Sequence, residues 1–129
     1  MDFIRKEQLD THILPGRYIW KAIGKDSTLK SESMTIGFAH FSAVIGAAES
    51  HQHAEESIYV LEAHKANIRW GETKDKLAHH LLLERGMLLR IPAQEWHVFV
   101  CEENGFLDIL FFYGQVDNIR PEERKERTL

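Results

Sequence analysis

The chain has 129 residues, of which 43% are hydrophobic and 28% charged, with a formal net charge of −4. That length and balance fit one compact globular domain over residues 1–129 and exclude a disordered chain. A net acidic chain offers no broad basic surface for phosphate neutralisation, so nucleic acid is not an expected partner.

At the N-terminus Asp2, Arg5, Lys6, Glu7 and Asp10 stand where a secretory signal would need a continuous apolar run. Further along, short segments rich in branched and aromatic residues at 34–44, 57–62, 66–70, 77–83, 87–91, 97–101 and 106–113 are bracketed by glycines, the punctuation of strands joined by turns. Leucine and alanine in 77–83 also favour helix, but its length and its place before Gly86 point to a strand. The polar stretch 71–76, opened by Gly71, reads as a hairpin connection. Seven short strands require a sandwich or barrel, with the core at about 34–113. The single cysteine, Cys101, excludes an intrachain disulfide and a Cys-rich zinc site, and a small buried apolar role in a reducing compartment is expected. No run approaches the ~18 apolar residues of a membrane helix; the longest, 106–113, carries Asp108. The expected address is the cytoplasm, with no membrane partner. The charged run after Pro121 is expected to form a frayed tail or a short helix.

Chemistry gathers in two clusters: His51, His53 and Glu56 in the run His-Gln-His-Ala-Glu-Glu, and His97 in Pro-Ala-Gln-Glu-Trp-His. In an extended chain His51 and His53 project to the same side and present two imidazoles to one ion. Glu56 follows after a turn and can close the site, with Glu55 as its competitor. His97 joins only if the intervening strands fold back across a closed sheet. Two or three imidazoles and a carboxylate suit a divalent transition metal such as Fe, Ni, Mn, Co or Zn rather than the all-oxygen shells of calcium and magnesium. Open coordination positions would distinguish the site from a closed structural zinc centre.

The two clusters resemble the two motifs of the cupins. Gly46-(X)4-His51-X-His53-(X)2-Glu56 is similar to the first, Gly-(X)5-His-X-His-(X)3,4-Glu, and Gly86-(X)5-Pro92-X-Gln94-X-X-His97 is similar to the second, Gly-(X)5-Pro-X-Gly-X-X-His. The run Glu56-Ser57-Ile58-Tyr59-Val60-Leu61-Glu62 resembles the cupin Glu-X-X-Tyr-Val-Leu-Glu and singles out Glu56 over Glu55. Gln94 stands where the family has glycine, and the first motif is one residue short before His51 and again before Glu56. The resemblance implies an all-β, cupin-type double-stranded β-helix or jelly-roll barrel, with His51, His53, Glu56 and His97 as metal ligands.

Alternation from Glu56 sends Ile58 and Val60 inward and leaves Tyr59 and Leu61 on an apolar outer face, for which a homodimer partner is the expected cover. From His97 it puts Phe99 and Cys101 on the ligand's face. His40, Glu95 and Tyr113 are the candidate catalytic acid/base groups beside the metal. The leading functional expectation is a metal-dependent enzyme acting on a polar small metabolite, a sugar derivative or oxoacid, by Lewis-acid assisted isomerisation, ring opening or lyase chemistry. A non-haem iron dioxygenase and a non-catalytic small-ligand sensor are the alternatives.

Overall fold

The computed structural model describes residues 1–114; the charged C-terminal run lies outside the described residues. A short 3-10 turn at Lys6–Gln8 is followed by strands β1 (His12–Leu14), β2 (Arg17–Gly24), β3 (Leu29–Lys30), β4 (Thr35–Ser42), β5 (Glu56–Gly71), β6 (His79–Leu82), β7 (Leu88–Ile91) and β8 (Trp96–Tyr113). They pair in the order β1-β2-β4-β8-β5-β6, with β3 added to β2 and β7 to β5. Every pairing is antiparallel except that of β2 with β3. This is the expected all-β jelly-roll architecture. No helix of the described residues is long and apolar enough to cross a membrane.

Two long strands organise the sheet. The sequence reading splits 57–62 from 66–70 and 97–101 from 106–113, whereas the structure joins each pair into one bent strand, β5 and β8. The bends lie where the sequence pattern breaks. Lys65 takes a left-handed φ of 50° and Asn104 one of 63°, and the β5–β8 register shifts between His64 and Ala66. The two strands turn the corner together, so the ladder runs from His64↔Phe106 to Ala66↔Cys101. Bulges of this kind are how a sheet curls into a barrel while keeping its edges paired. Gly105 makes the corner possible, because a Cβ there would sit 2.6 Å from the Lys65 carbonyl oxygen and 2.8 Å from that of Glu102.

Side chains alternate across this ladder as a half-buried sheet requires. Ile19, Ala39, Ile109 and Val60 form one inward cross-strand row, all buried. Ile58 and Leu107 are fully buried as well, and complete burial of such side chains contributes roughly 1.5–3 kcal/mol each. The opposite face carries Trp20, Phe38, Leu110, Tyr59 and Leu88 in register. Lys6 covers its β2 end, with Nζ 4.1 Å from the Trp20 ring centroid. At the other end Tyr59 is 43% and Leu88 75% exposed, as alternation predicts for Tyr59.

Strands β1 to β3 are absent from the sequence reading, because Arg17 and Lys21 interrupt the apolar alternation of β2. Arg17 nevertheless faces inward and is completely buried. The 77–83 segment is a strand, shortened to β6, and all four of its residues are exposed. The expected hairpin before it is closed by a Thr73–Lys76 bridge in which Lys76 N–H donates to the Thr73 carbonyl at 3.2 Å.

Gly105→Ala tests the coupled corner. The added methyl has only backbone to displace, so we expect a loss of about 2 kcal/mol or more, read as a fall of several degrees in Tm.

Candidate metal centre

The site is assembled by backbone before any side chain is considered. His51 N–H donates to the His97 carbonyl and His97 N–H donates back to the His51 carbonyl, both at 3.0 Å. Next to this bridge Gln94 N–H donates to the His53 carbonyl at 2.7 Å. The segment preceding β5 is thereby tied to the start of β8. Glu56 opens β5, opposite Ile91 on one side and Tyr113 on the other.

A tight turn delivers His97. Glu95 N–H closes it onto the Pro92 carbonyl at 3.3 Å, and Gln94, its third residue, has φ 64°. Pro92 is the first residue of this turn and Ala93 the second, and its left-handed third position favours glycine or asparagine. The turn entering β7 has the same logic: Met87 N–H donates to the Glu84 carbonyl at 3.2 Å, and Gly86 supplies a φ of 93°.

The three imidazoles meet in the barrel interior. Ring centroids are 4.5 Å apart for His51–His97, 4.7 Å for His53–His97 and 5.2 Å for His51–His53, and all three residues are buried. Each Nδ1 lies against a main-chain carbonyl: His51 on Glu49 at 3.2 Å, His53 on Ala54 at 2.7 Å, and His97 on Glu95 at 2.9 Å. A carbonyl oxygen only accepts, so each Nδ1 carries the proton, which leaves the lone pair on Nε2. One ring nitrogen from each histidine lies within 4.8 Å of those of the other two. Glu56, completely buried, adds a carboxylate oxygen 3.4 Å from His53 Nε2.

This donor set fits a cation. Imidazole nitrogens converging in the buried interior, with the Glu56 carboxylate beside His53, complement positive charge. Their anchoring through Nδ1 to fixed acceptors is the arrangement that orients metal-binding histidines. Imidazole with carboxylate suits a divalent transition metal.

The other sequence candidates are distributed unevenly. Tyr113 is buried, with its ring edge-on to that of His53 at a centroid distance of 5.3 Å. Glu95 contributes its carbonyl to His97. His40 is not beside the histidines: Ala39 and Phe41 take the inward positions of β4, and His40 lies on the outer face with its Nδ1 2.6 Å from Asp108 Oδ1, between the rings of Tyr18 and Phe106. Glu55 is exposed and accepts from Arg90 Nη1 at 2.7 Å, so of the two adjacent glutamates only Glu56 turns inward. The groups missed by sequence reasoning are the carbonyls of Glu49, Ala54 and Glu95. Main-chain acceptors leave no side-chain signature.

No family model and no curated protein matches this sequence. Solved structures do match. A protein from Planctomyces limnophilus superimposes with TM-score 0.68 at 19% identity over 91% of each chain. The polyketide cyclase RemF from Streptomyces resistomycificus does so with TM-score 0.70 at 16% identity, over 100% of this chain and 94% of that one. Oxalate decarboxylase from Lactobacillus farciminis gives TM-score 0.71 at 18% identity over 95% of this chain, which spans 36% of the decarboxylase. The chain has the cupin fold. The departures from the cupin motifs now have a physical reading. The shortened spacing before Glu56 still brings its carboxylate to His53. Gln94, at the position where the cupin motif has glycine, takes the left-handed conformation that glycine adopts most readily.

Gln94→Gly should therefore stabilise the fold. Relief of a left-handed side chain gains about 1–2 kcal/mol and glycine's extra chain entropy costs about 0.5–1 kcal/mol, so a rise of a few degrees in Tm is expected.

Proposed function

We propose that the protein is a metal-dependent cupin enzyme whose His51, His53 and His97, with Glu56 as a fourth ligand, hold one divalent transition metal and act on a small oxygen-bearing metabolite. The observation that carries this reading is the convergence of three buried histidines, one ring nitrogen of each within 4.8 Å of the others, with every Nδ1 seated against a main-chain carbonyl. When bound, the ion supplies Lewis-acid polarisation of a substrate carbonyl or hydroxyl. The barrel supplies the rest. Its inward rows exclude water, and the main-chain carbonyls keep the imidazoles aimed. Tyr113, whose ring packs against His53, is the candidate acid/base group for moving a proton in isomerisation, ring opening or lyase chemistry. The structural likeness to a polyketide cyclase and to an oxalate decarboxylase is consistent with an enzyme of this general kind.

Elemental analysis of protein purified without added metal, followed by assays of proton exchange and of oxygen uptake with small oxoacids, tests the reading. About one metal per chain with proton exchange and no oxygen uptake supports it. Oxygen consumption assigns the site to a dioxygenase instead, and ligand binding without turnover assigns it to a sensor. In the same analysis His97→Ala or His51→Ala should remove most of the metal, while Glu56→Gln should weaken binding by about tenfold. Full stoichiometry in both histidine variants would overturn the ligand set.

A homodimer is proposed alongside. It is supported by the outward row of Phe38, Leu110, Tyr59 and Leu88, with Leu88 75% exposed. Sedimentation of wild type should give the mass of two chains, and Leu88→Asp should shift it toward one. A monomeric wild type would reject this assembly and leave the metal reading standing.

A further inference from the structure

The ladder between the 51 segment and β8 stops at the His51–His97 bridge. Beyond it, residues 98–101 pair with β5 along one edge, and no strand pairs with their other edge among the described residues. The stretch that faces this edge, 43–48, contains Ala43, Gly46, Ala47 and Ala48, too small to fill the space. What remains is a cavity of about 250 Å³, walled by Val98, Phe99, Val100 and Cys101 of β8, Phe41 of β4, and that small-residue stretch. At ~30 Å³ per water it has room for about eight waters, or for a ligand body of similar size.

The lining is chemically one-sided. The Phe41 and Phe99 rings lie 4.9 Å apart on its inner side. The Cys101 thiol is kept neutral, with burial pushing its pKa up to about 11. Ser42, the polar side chain in the wall, already accepts from Ile45 N–H at 3.2 Å. No charged side chain lines the cavity. A charged group placed here would meet no partner charge, whereas an aromatic or branched alkyl group would gain from contact with the Phe41 and Phe99 rings; the polar part of the wall is Ser42 and the main-chain edge of residues 98–101. None of the three histidines lines the cavity; it adjoins them through β8. Phe99 shares a strand face with His97 two residues away, roughly 7 Å along the chain. Ala43, Gly46 and Ala47 are exposed at the outer side, so the cavity is reached from solvent.

We propose that this cavity is the subsite for an apolar body of the substrate, making the substrate a compact amphipathic acid. Its oxygen donors meet the histidines while an aromatic or branched alkyl group of up to about ten non-hydrogen atoms fills the space beside Phe41 and Phe99. This rests on the metal reading above and narrows it: the sugar-derivative class expected from sequence gives way to aromatic or branched carboxylic acids.

Titration of zinc-loaded protein with 4-fluorobenzoate and with fluoroacetate, followed by fluorine NMR, separates the two classes, because both carry a carboxylate and only one carries an apolar body. Wild type should prefer fluorobenzoate by at least about tenfold. Cys101→Phe, which fills the cavity, and Ala47→Trp, which closes its exposed side, should each reduce the preference below about threefold with zinc stoichiometry unchanged. Ala47 is exposed, so its variant reports even if Cys101→Phe overpacks the wall. Equal binding of the two probes by wild type, or a preference that survives both substitutions, would overturn the subsite. Failure to take up zinc would overturn the metal reading and this proposal together, whereas a zinc-loaded protein without preference rejects the subsite alone.

Discussion

Two backbone hydrogen bonds, exchanged between His51 and His97, are the constraint from which the site follows. They are ordinary ladder bonds, each worth about 1 kcal/mol net, and they fix the relative position of two segments far apart in the sequence. With Gln94 N–H held by the His53 carbonyl, the three imidazole-bearing backbones form one rigid unit. The side chains then have little freedom left, and carbonyl acceptors on each Nδ1 remove most of it. Convergence of the histidines is thus largely a property of the main chain, with the imidazoles supplying the chemistry.

Both turns that feed this unit place a left-handed residue third, glycine at 86 and glutamine at 94. The strain at Gln94 sits within three residues of His97 and is held in place by a hydrogen bond to the segment carrying His53. Local strain of this size persists where surrounding structure over-determines it, and here the over-determination comes from the same contacts that assemble the site.

How far the sequence revealed this depends on the kind of signal. The three-histidine cluster was legible because side-chain type and two-residue spacing are direct consequences of strand geometry, and the resemblance to cupin motifs singled out the glutamate that the structure buries, Glu56, over the exposed Glu55. The inward facing of Ile58 and Val60 was legible for the same reason. The continuity of β5 and β8 was not: Lys65 and Asn104 look like breaks, and only tertiary pairing shows that both strands bend together. Strand β2 was hidden by Arg17, whose inward burial contradicts its usual surface preference. His40 was misleading because an apolar neighbourhood in sequence does not say which face of the strand a residue occupies; Ala39 and Phe41 take the inner one.

The coupled corner of β5 and β8 also bears on how the molecule forms. These strands run through both walls of the barrel and are paired along nearly their whole length, so few of the contacts that hold the histidines in place are local in the chain. Chains of this topology reach the native state slowly, because distant segments must be brought together before the contacts between them compensate the lost freedom. A metal ion would therefore meet a nearly finished barrel rather than seed one. Occupancy of the centre should report completion of folding, and the nascent protein should spend its most aggregation-prone interval without that ion's help.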